Sequence, residues 1–189
     1  IKFSNNNRCI HPTSQGSMGF ALPAAIGARF SSKNNIICIV GDGSIMMNLQ
    51  ELEVIKYHNL DIKIIVINNN LYSIIRKRQQ ELFRNRTIGT DKTNGISCPS
   101  FEMIASCFNL KYMLIEDSKD LESMLYKFMK ERGPSLCEIM GKENQSYIEV
   151  SITKSLTSNN FVKRPWEDQN PFLSRSNFLN EMIIKPIAQ

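Results

Sequence analysis

Gly41-Asp42-Gly43-Ser44, an amphipathic segment, a short apolar run and then Asn68-Asn69-Asn70-Leu71: these pieces, in this order, set the architecture of the chain. Just upstream, Ile36-Ile37-Cys38-Ile39-Val40 is a continuous apolar run, the pattern of a strand covered on both faces. Gly41 and Gly43 let the backbone turn sharply and come close to a ligand. A helix is expected to start near Ile45, its free N–H groups aimed at whatever sits above the turn, which suits an anion. Residues 62–67 form a second apolar strand that brings Asn68 and Asn69 out at its C-terminal end. In a parallel α/β sheet, neighbouring strand ends form one ligand-binding edge.

Asn69 follows Asp42 by 27 residues, enough for one strand-to-strand crossover through a helix. A carboxylate, an amide oxygen and a nearby backbone carbonyl are hard oxygen donors. With two phosphate oxygens and a water they complete an octahedron around Mg²⁺. A diphosphate held through a metal, with backbone amides on its other side, is the natural reading. The Ser44 hydroxyl and amide are good phosphate donors; Ser is also an ordinary helix N-cap, and the two roles are compatible.

Gly-Asp-Gly-Ser followed at this distance by Asn-Asn resembles the diphosphate-binding motif of thiamine-diphosphate enzymes, in particular the acetolactate synthase and pyruvate decarboxylase group. The likeness extends upstream to Gly16-Ser17-Met18-Gly19-Phe20-Ala21-Leu22-Pro23, which is similar to the segment lying under the cofactor in that group. It covers about residues 1–140. The resemblance implies thiamine diphosphate and Mg²⁺ as cofactors, with Gly16, Met18, Gly41, Asp42, Gly43, Ser44, Asn69 and Leu71 around them. Gly16 would offer its carbonyl to the aminopyrimidine, and Met18 would be the catalytic wedge that bends the cofactor into a V. The alternative for Met18 is ordinary core. Asp42, Asn69 and the backbone carbonyl of Leu71 would hold the metal. His11 is either structural or near the cofactor edge, and a lone His is more often a bystander.

Composition is consistent with this reading. The chain has 189 residues, 42% of them apolar and 22% charged, enough for one domain with a full core. No apolar run approaches the ~20 residues of a membrane span, and the polar start shows no secretory signal. The net charge of +5 is scattered apart from Arg76-Lys77-Arg78, so nucleic-acid binding is not expected. Five widely spaced cysteines without a Cys-x-x-Cys pair read as buried reduced thiols in the cytoplasm. The chain starts with Ile, from which we expect a piece of a longer protein.

Alternation of strands and helices predicts an α/β fold, a parallel sheet flanked by helices on both faces, over residues 1–140. Helices are expected over residues 17–30, 46–58, 71–80, 101–108 and 121–130. Further strands are expected over 111–115 and 135–140. Pro23 inside the first helix is tolerated in a first turn and kinks an interior. Residues 83–99 read as a polar loop. Residues 141–189 read as an extended tail with a short helix over 177–184. Residues 165–173 bear a weak likeness to the C-terminal segment of acetolactate-synthase-like proteins of sugar and polysaccharide pathways.

Arg78 departs from the family pattern, which has a Trp that selects the second 2-oxoacid. An Arg there either pairs with a substrate carboxylate or phosphate, or is a solvated helix face. The expected function is the diphosphate-binding part of a 2-oxoacid decarboxylase or carboligase acting on a substrate such as pyruvate, with a sugar-linked acceptor as one variant. The alternatives are acetolactate synthase of branched-chain amino-acid synthesis, or a non-catalytic diphosphate-binding module. The pyrimidine-activating glutamate is not found here. It would come from a pyrimidine-binding domain of the same or a neighbouring subunit, so a homodimer or homotetramer is expected.

Overall fold

The computed structural model describes residues 7–12, 15–145, 152–154, 161–163, 167–169 and 172–183; residues 152–154 and 161–163 and Glu81 are described by backbone alone. Two compact units divide the chain, Ile1–Glu143 and Asn144–Gln189.

In the first unit the apolar runs become parallel strands: β1 (Ile36–Gly41), β2 (Ile62–Asn68), β3 (Lys111–Ile115) and β4 (Ser135–Met140). They lie in the order β1-β2-β4-β3, every pair parallel. The helices are α1 (Ala21–Ser31), α2 (Asp42–Ile45), α3 (Glu51–Tyr57), α4 (Ser73–Leu82), α5 (Phe101–Cys107) and α6 (Leu121–Met129). One face of the sheet carries Cys38, Val40, Ile62, Ile64, Val66 and Leu136, packed in one cluster with Leu22, Leu52, Ile55 and Phe101 from α1, α3 and α5. On the other face Ile65, Ile115 and Cys137 pack with Phe128 of α6. The side chains of Leu121, Met124, Leu125, Phe128 and Met129 recur at helical spacing, so α6 buries one stripe. Gly133, at φ 82°, turns the chain from α6 into β4.

Four sequence expectations change. β1 is not covered on both faces: Ile37 and Ile39 are 49% and 58% exposed. They lie on the face of α6, but α6 packs over β3, at the other end of the sheet. β2, in the middle, is buried on both faces over residues 62–66. Residues 16–19 are a turn rather than the start of α1, because Gly16 and Gly19 take φ of 58° and 84°. Pro23 therefore falls in the first turn of α1, where its missing N–H leaves no intrahelical bond unmade. The expected helix over 46–58 is split into a 3₁₀ turn at Met46–Asn48 and α3. Of the thiols, Cys38 and Cys137 are buried as expected, whereas Cys9 and Cys107 are exposed and Cys98 is half-buried.

The second unit contains an antiparallel pair, β5 (Ile152–Lys154) and β6 (Phe161–Lys163), where an extended tail was expected. Its helix α7 (Arg175–Glu181) is capped by the Ser174 hydroxyl, which accepts from the amide of Asn177 at 3.3 Å. Arg175 makes a bidentate pair with Asp168, both contacts at 2.7 Å, and lies over the Phe178 ring. Residues 165, 166, 170 and 171 of the 165–173 likeness lie outside the described residues. Among the described residues, no helix is long and apolar enough to cross a membrane.

Candidate functional site

The C-terminal edge of the sheet gathers the ends of β1, β2 and β4. Asp42 follows β1 directly and is 4% exposed. The helix starts at Asp42, three residues earlier than expected, so the carboxylate belongs to its first turn. Its Oδ1 accepts from the Gly43 amide at 2.7 Å and its Oδ2 from the Asn69 amide at 3.2 Å. The Cys98 thiol donates to the same Oδ2 at 3.4 Å. Asp42 and Asn69 are thus brought together as the spacing implied, but by a direct backbone contact rather than across an open gap. Burial beside the Asp42 charge pushes the Cys98 thiol up to about 12, so it stays protonated and donating.

The glycines act differently from the expectation of a sharp turn. Neither Gly41 nor Gly43 has a left-handed φ. A Cβ on Gly43 would stand 1.8 Å from the Tyr72 ring, so this position must be Gly to admit that ring. A Cβ on Gly41 would meet only the Ser44 Cβ, at 4.0 Å, leaving its far side open to a ligand.

Ser44 ties the upstream turn to this one. Its hydroxyl oxygen accepts from the Gly19 amide at 2.9 Å, and the Asn48 side chain donates to the Gly19 carbonyl at 2.8 Å. These bonds tie Gly19, the neighbour of Met18, to Ser44 and Asn48. Met18 is 42% exposed, so it is not ordinary core in this unit. His11 is exposed.

Leu71 is buried and forms an antiparallel bridge with Asp91. The Tyr72 amide donates to the Thr90 carbonyl at 2.8 Å. The polar loop is therefore a built turn: Asn94 Oδ1 accepts from the amides of Thr90 and Asp91, and Asp91 takes the Thr93 hydroxyl and the Arg76 guanidinium. The Thr93 hydroxyl bond, ahead of the Arg76 charge, holds the Asp91 carboxyl below the usual carboxylate range. Arg78 lies on the exposed side of α4.

A family model described as "Thiamine pyrophosphate enzyme, C-terminal TPP binding domain" matches residues 1–139. The chain belongs to this family. Its sequence is 35% identical to the acetolactate synthase large subunit of Porphyra purpurea over 163 residues, 79% of this chain and 27% of that protein. It is 38% identical to the acetolactate synthase isozyme 2 large subunit of Escherichia coli (strain K12) over 125 residues, 66% of this chain and 22% of that protein. The Lactococcus lactis acetolactate synthase large subunit is 28% identical over 169 residues, 89% of this chain and 28% of that protein. The chain thus spans about a quarter of the length of these relatives.

The thiamine pyrophosphate domain has an electrostatic feature that suits a charged cofactor. Asp42 is buried among N–H and S–H donors, with no cationic side chain paired to it among the described residues. A buried carboxylate is costly without a counter-charge, and a hard cation would supply one. The open side of Gly41 adds room at the same turn.

Sequence reading missed the residues that brace this edge. Tyr72 fills the Cβ space of Gly43, Asn48 holds Gly19, Cys98 donates to Asp42, and Asn68 and Glu138 pair beneath the loop at 2.6 Å. Only Glu138 left a signal: a lone carboxylate inside the apolar run of β4. The others are ordinary polar or aromatic residues whose partners are distant in sequence.

Proposed function

We propose that this chain is the diphosphate- and Mg²⁺-binding part of a thiamine-diphosphate-dependent enzyme that decarboxylates a 2-oxoacid such as pyruvate and transfers the remaining fragment to an acceptor. The observation that carries the proposal is the buried Asp42 at the strand edge, held against the Asn69 amide with no cationic side chain paired to it among the described residues. One oxygen of Asp42, the Asn69 amide oxygen and the Leu71 carbonyl would ligate Mg²⁺. Gly41, Gly43 and Ser44 would line the diphosphate, with the Ser44 proton available because that hydroxyl already accepts from Gly19.

Bound thiamine diphosphate supplies the carbanion chemistry that cleaves the bond to the departing carboxylate. This chain's own residues bind and orient. Met18, on an exposed turn stapled to α2, would hold the V conformation, and the Gly16 carbonyl would accept from the aminopyrimidine. The glutamate acting on the pyrimidine would come from a pyrimidine-binding domain of the same or a neighbouring subunit, in a cytoplasmic homodimer or homotetramer. An Arg at position 78, where the family pattern has a Trp, suits an acceptor that carries a carboxylate or phosphate, as sugar-linked acceptors do, while its exposure on α4 suits a solvated helix face equally. The names of the relatives support a second reading, acetolactate synthase proper.

The test is release of labelled carbon dioxide from 1-¹³C-pyruvate by the intact protein, beside its Met18→Ala variant. The proposal expects turnover that requires thiamine diphosphate and Mg²⁺. It expects Met18→Ala to keep the cofactor affinity and lose kcat. Turnover unchanged in Met18→Ala overturns the assigned role of that residue. Cofactor binding without turnover of any 2-oxoacid leaves the non-catalytic module.

A further inference from the structure

We infer that Glu138 is a positioning residue for the metal-binding loop, acting through Asn68. The inference rests on the proposed role of Asn69 and Leu71 as metal ligands.

Glu138 is 7% exposed and sits near the end of β4, on the sheet face of Leu136 and Val66. No cationic side chain pairs with it among the described residues. Its two oxygens are instead used by two side chains. Oε1 accepts from Asn68 Nδ2 at 2.6 Å, and Oε2 accepts from the Tyr112 hydroxyl. Glu138 is an acceptor only, so it settles which way the Asn68 amide faces: NH₂ toward Glu138, oxygen away from it.

The freed oxygen has a definite use. Asn68 Oδ1 accepts from the Asn70 amide at 2.9 Å. Asn70 holds a left-handed φ of 57°, a conformation unfavourable for most side chains. It stands between Asn69 and Leu71, so its backbone conformation sets the directions of the Asn69 side chain and the Leu71 carbonyl. The Asn68 carbonyl is meanwhile fixed by the Gly141 amide at 2.7 Å, from the end of the same strand as Glu138. The route is a chain of contacts: Tyr112 and Glu138 orient Asn68, Asn68 caps Asn70, and Asn70 aims its two neighbours. Burying an unpaired carboxylate is unfavourable in itself. A hydrophobic residue would fill the same volume without that cost, and could not orient Asn68.

The experiment is a titration of Mn²⁺, which takes the same oxygen donors as Mg²⁺, into the intact protein with thiamine diphosphate present, followed by electron paramagnetic resonance. Glu138→Ala is expected to weaken Mn²⁺ by about tenfold or more, the scale seen when partners of metal ligands are removed. Glu138→Gln, which keeps a carbonyl acceptor for Asn68, is expected to stay within about threefold of the wild type. Asn68→Ala is expected to match Glu138→Ala, and the double variant to be no weaker than either. Additive losses, or a Glu138→Gln protein as weak as Glu138→Ala, overturn the route through Asn68. So does wild-type affinity in Glu138→Ala. Wild-type protein that takes up no Mn²⁺ overturns the metal-site reading itself. Thermal denaturation of each variant checks that it is folded when titrated.

Discussion

At the scale of single residues, the site is determined by steric and hydrogen-bonding fits that the sequence does not display. Gly43 reads as a turn glycine, yet its requirement comes from the Tyr72 ring 1.8 Å from where a Cβ would be. Gly43→Ala should therefore cost about 1–3 kcal/mol in urea denaturation, as overpacking does. Adding Tyr72→Ala should recover most of that loss, and additive losses would contradict the packing argument. The thiols give a pH prediction. Burial pushes Cys38 up to about 12 and Cys137 to about 11, from an ordinary value of 9.0. Above pH 9 the unfolded chain loses thiol protons that the folded chain keeps, so stability is full below about pH 9 and falls as pH rises towards 11 to 12. Urea midpoints across pH 7 to 11 should show that decline, and Cys38→Ala with Cys137→Ala should make it shallower, with Cys98 keeping its own share.

At the scale of elements, strands were the most legible part. Residues 111–115 and 135–140 are strands with the bounds their apolar runs imply, because local pattern and tertiary burial agree there. The start of α1 was not legible. Gly16 and Gly19 both take a left-handed φ, and Gly19 is held in its turn by contacts with Ser44 and Asn48, far along the chain. In sequence the 83–99 segment reads as a polar loop, but Asn94 organises it. Its amide donates to the hydroxyls of Thr87 and Thr90 and to Asp91, while its oxygen takes two backbone amides. Asn94→Ala strands several of these groups and should cost about 1–3 kcal/mol. The expected accompaniment is faster proteolysis within the loop and weaker cofactor binding, since the loop bridges Leu71 and Tyr72. Proteolysis at the wild-type rate would count against that bracing role.

At the scale of the whole molecule, the parallel direction of the strands was legible, while their order and the unequal cover of the two faces were not. An apolar run says that a strand can be buried; the placement of helices decides whether it is. Ile64 is fully buried and Ile39 is more than half exposed, although the two runs look alike. Ile64→Ala should cost about 2–5 kcal/mol, whereas Ile39→Thr should cost less than about 0.5 kcal/mol in the same denaturation assay. Equal losses would mean that the Ile39 face is covered in solution. The central claim is that Asp42, without a cationic partner among the described residues, is the anchor for a metal-held diphosphate. Calorimetric titration of thiamine diphosphate with Mg²⁺, into the wild type and Asp42→Ala, tests it most directly. The account predicts binding that needs Mg²⁺ and is lost in Asp42→Ala. Binding of equal strength in the two proteins, or in the wild type with and without Mg²⁺, would contradict it.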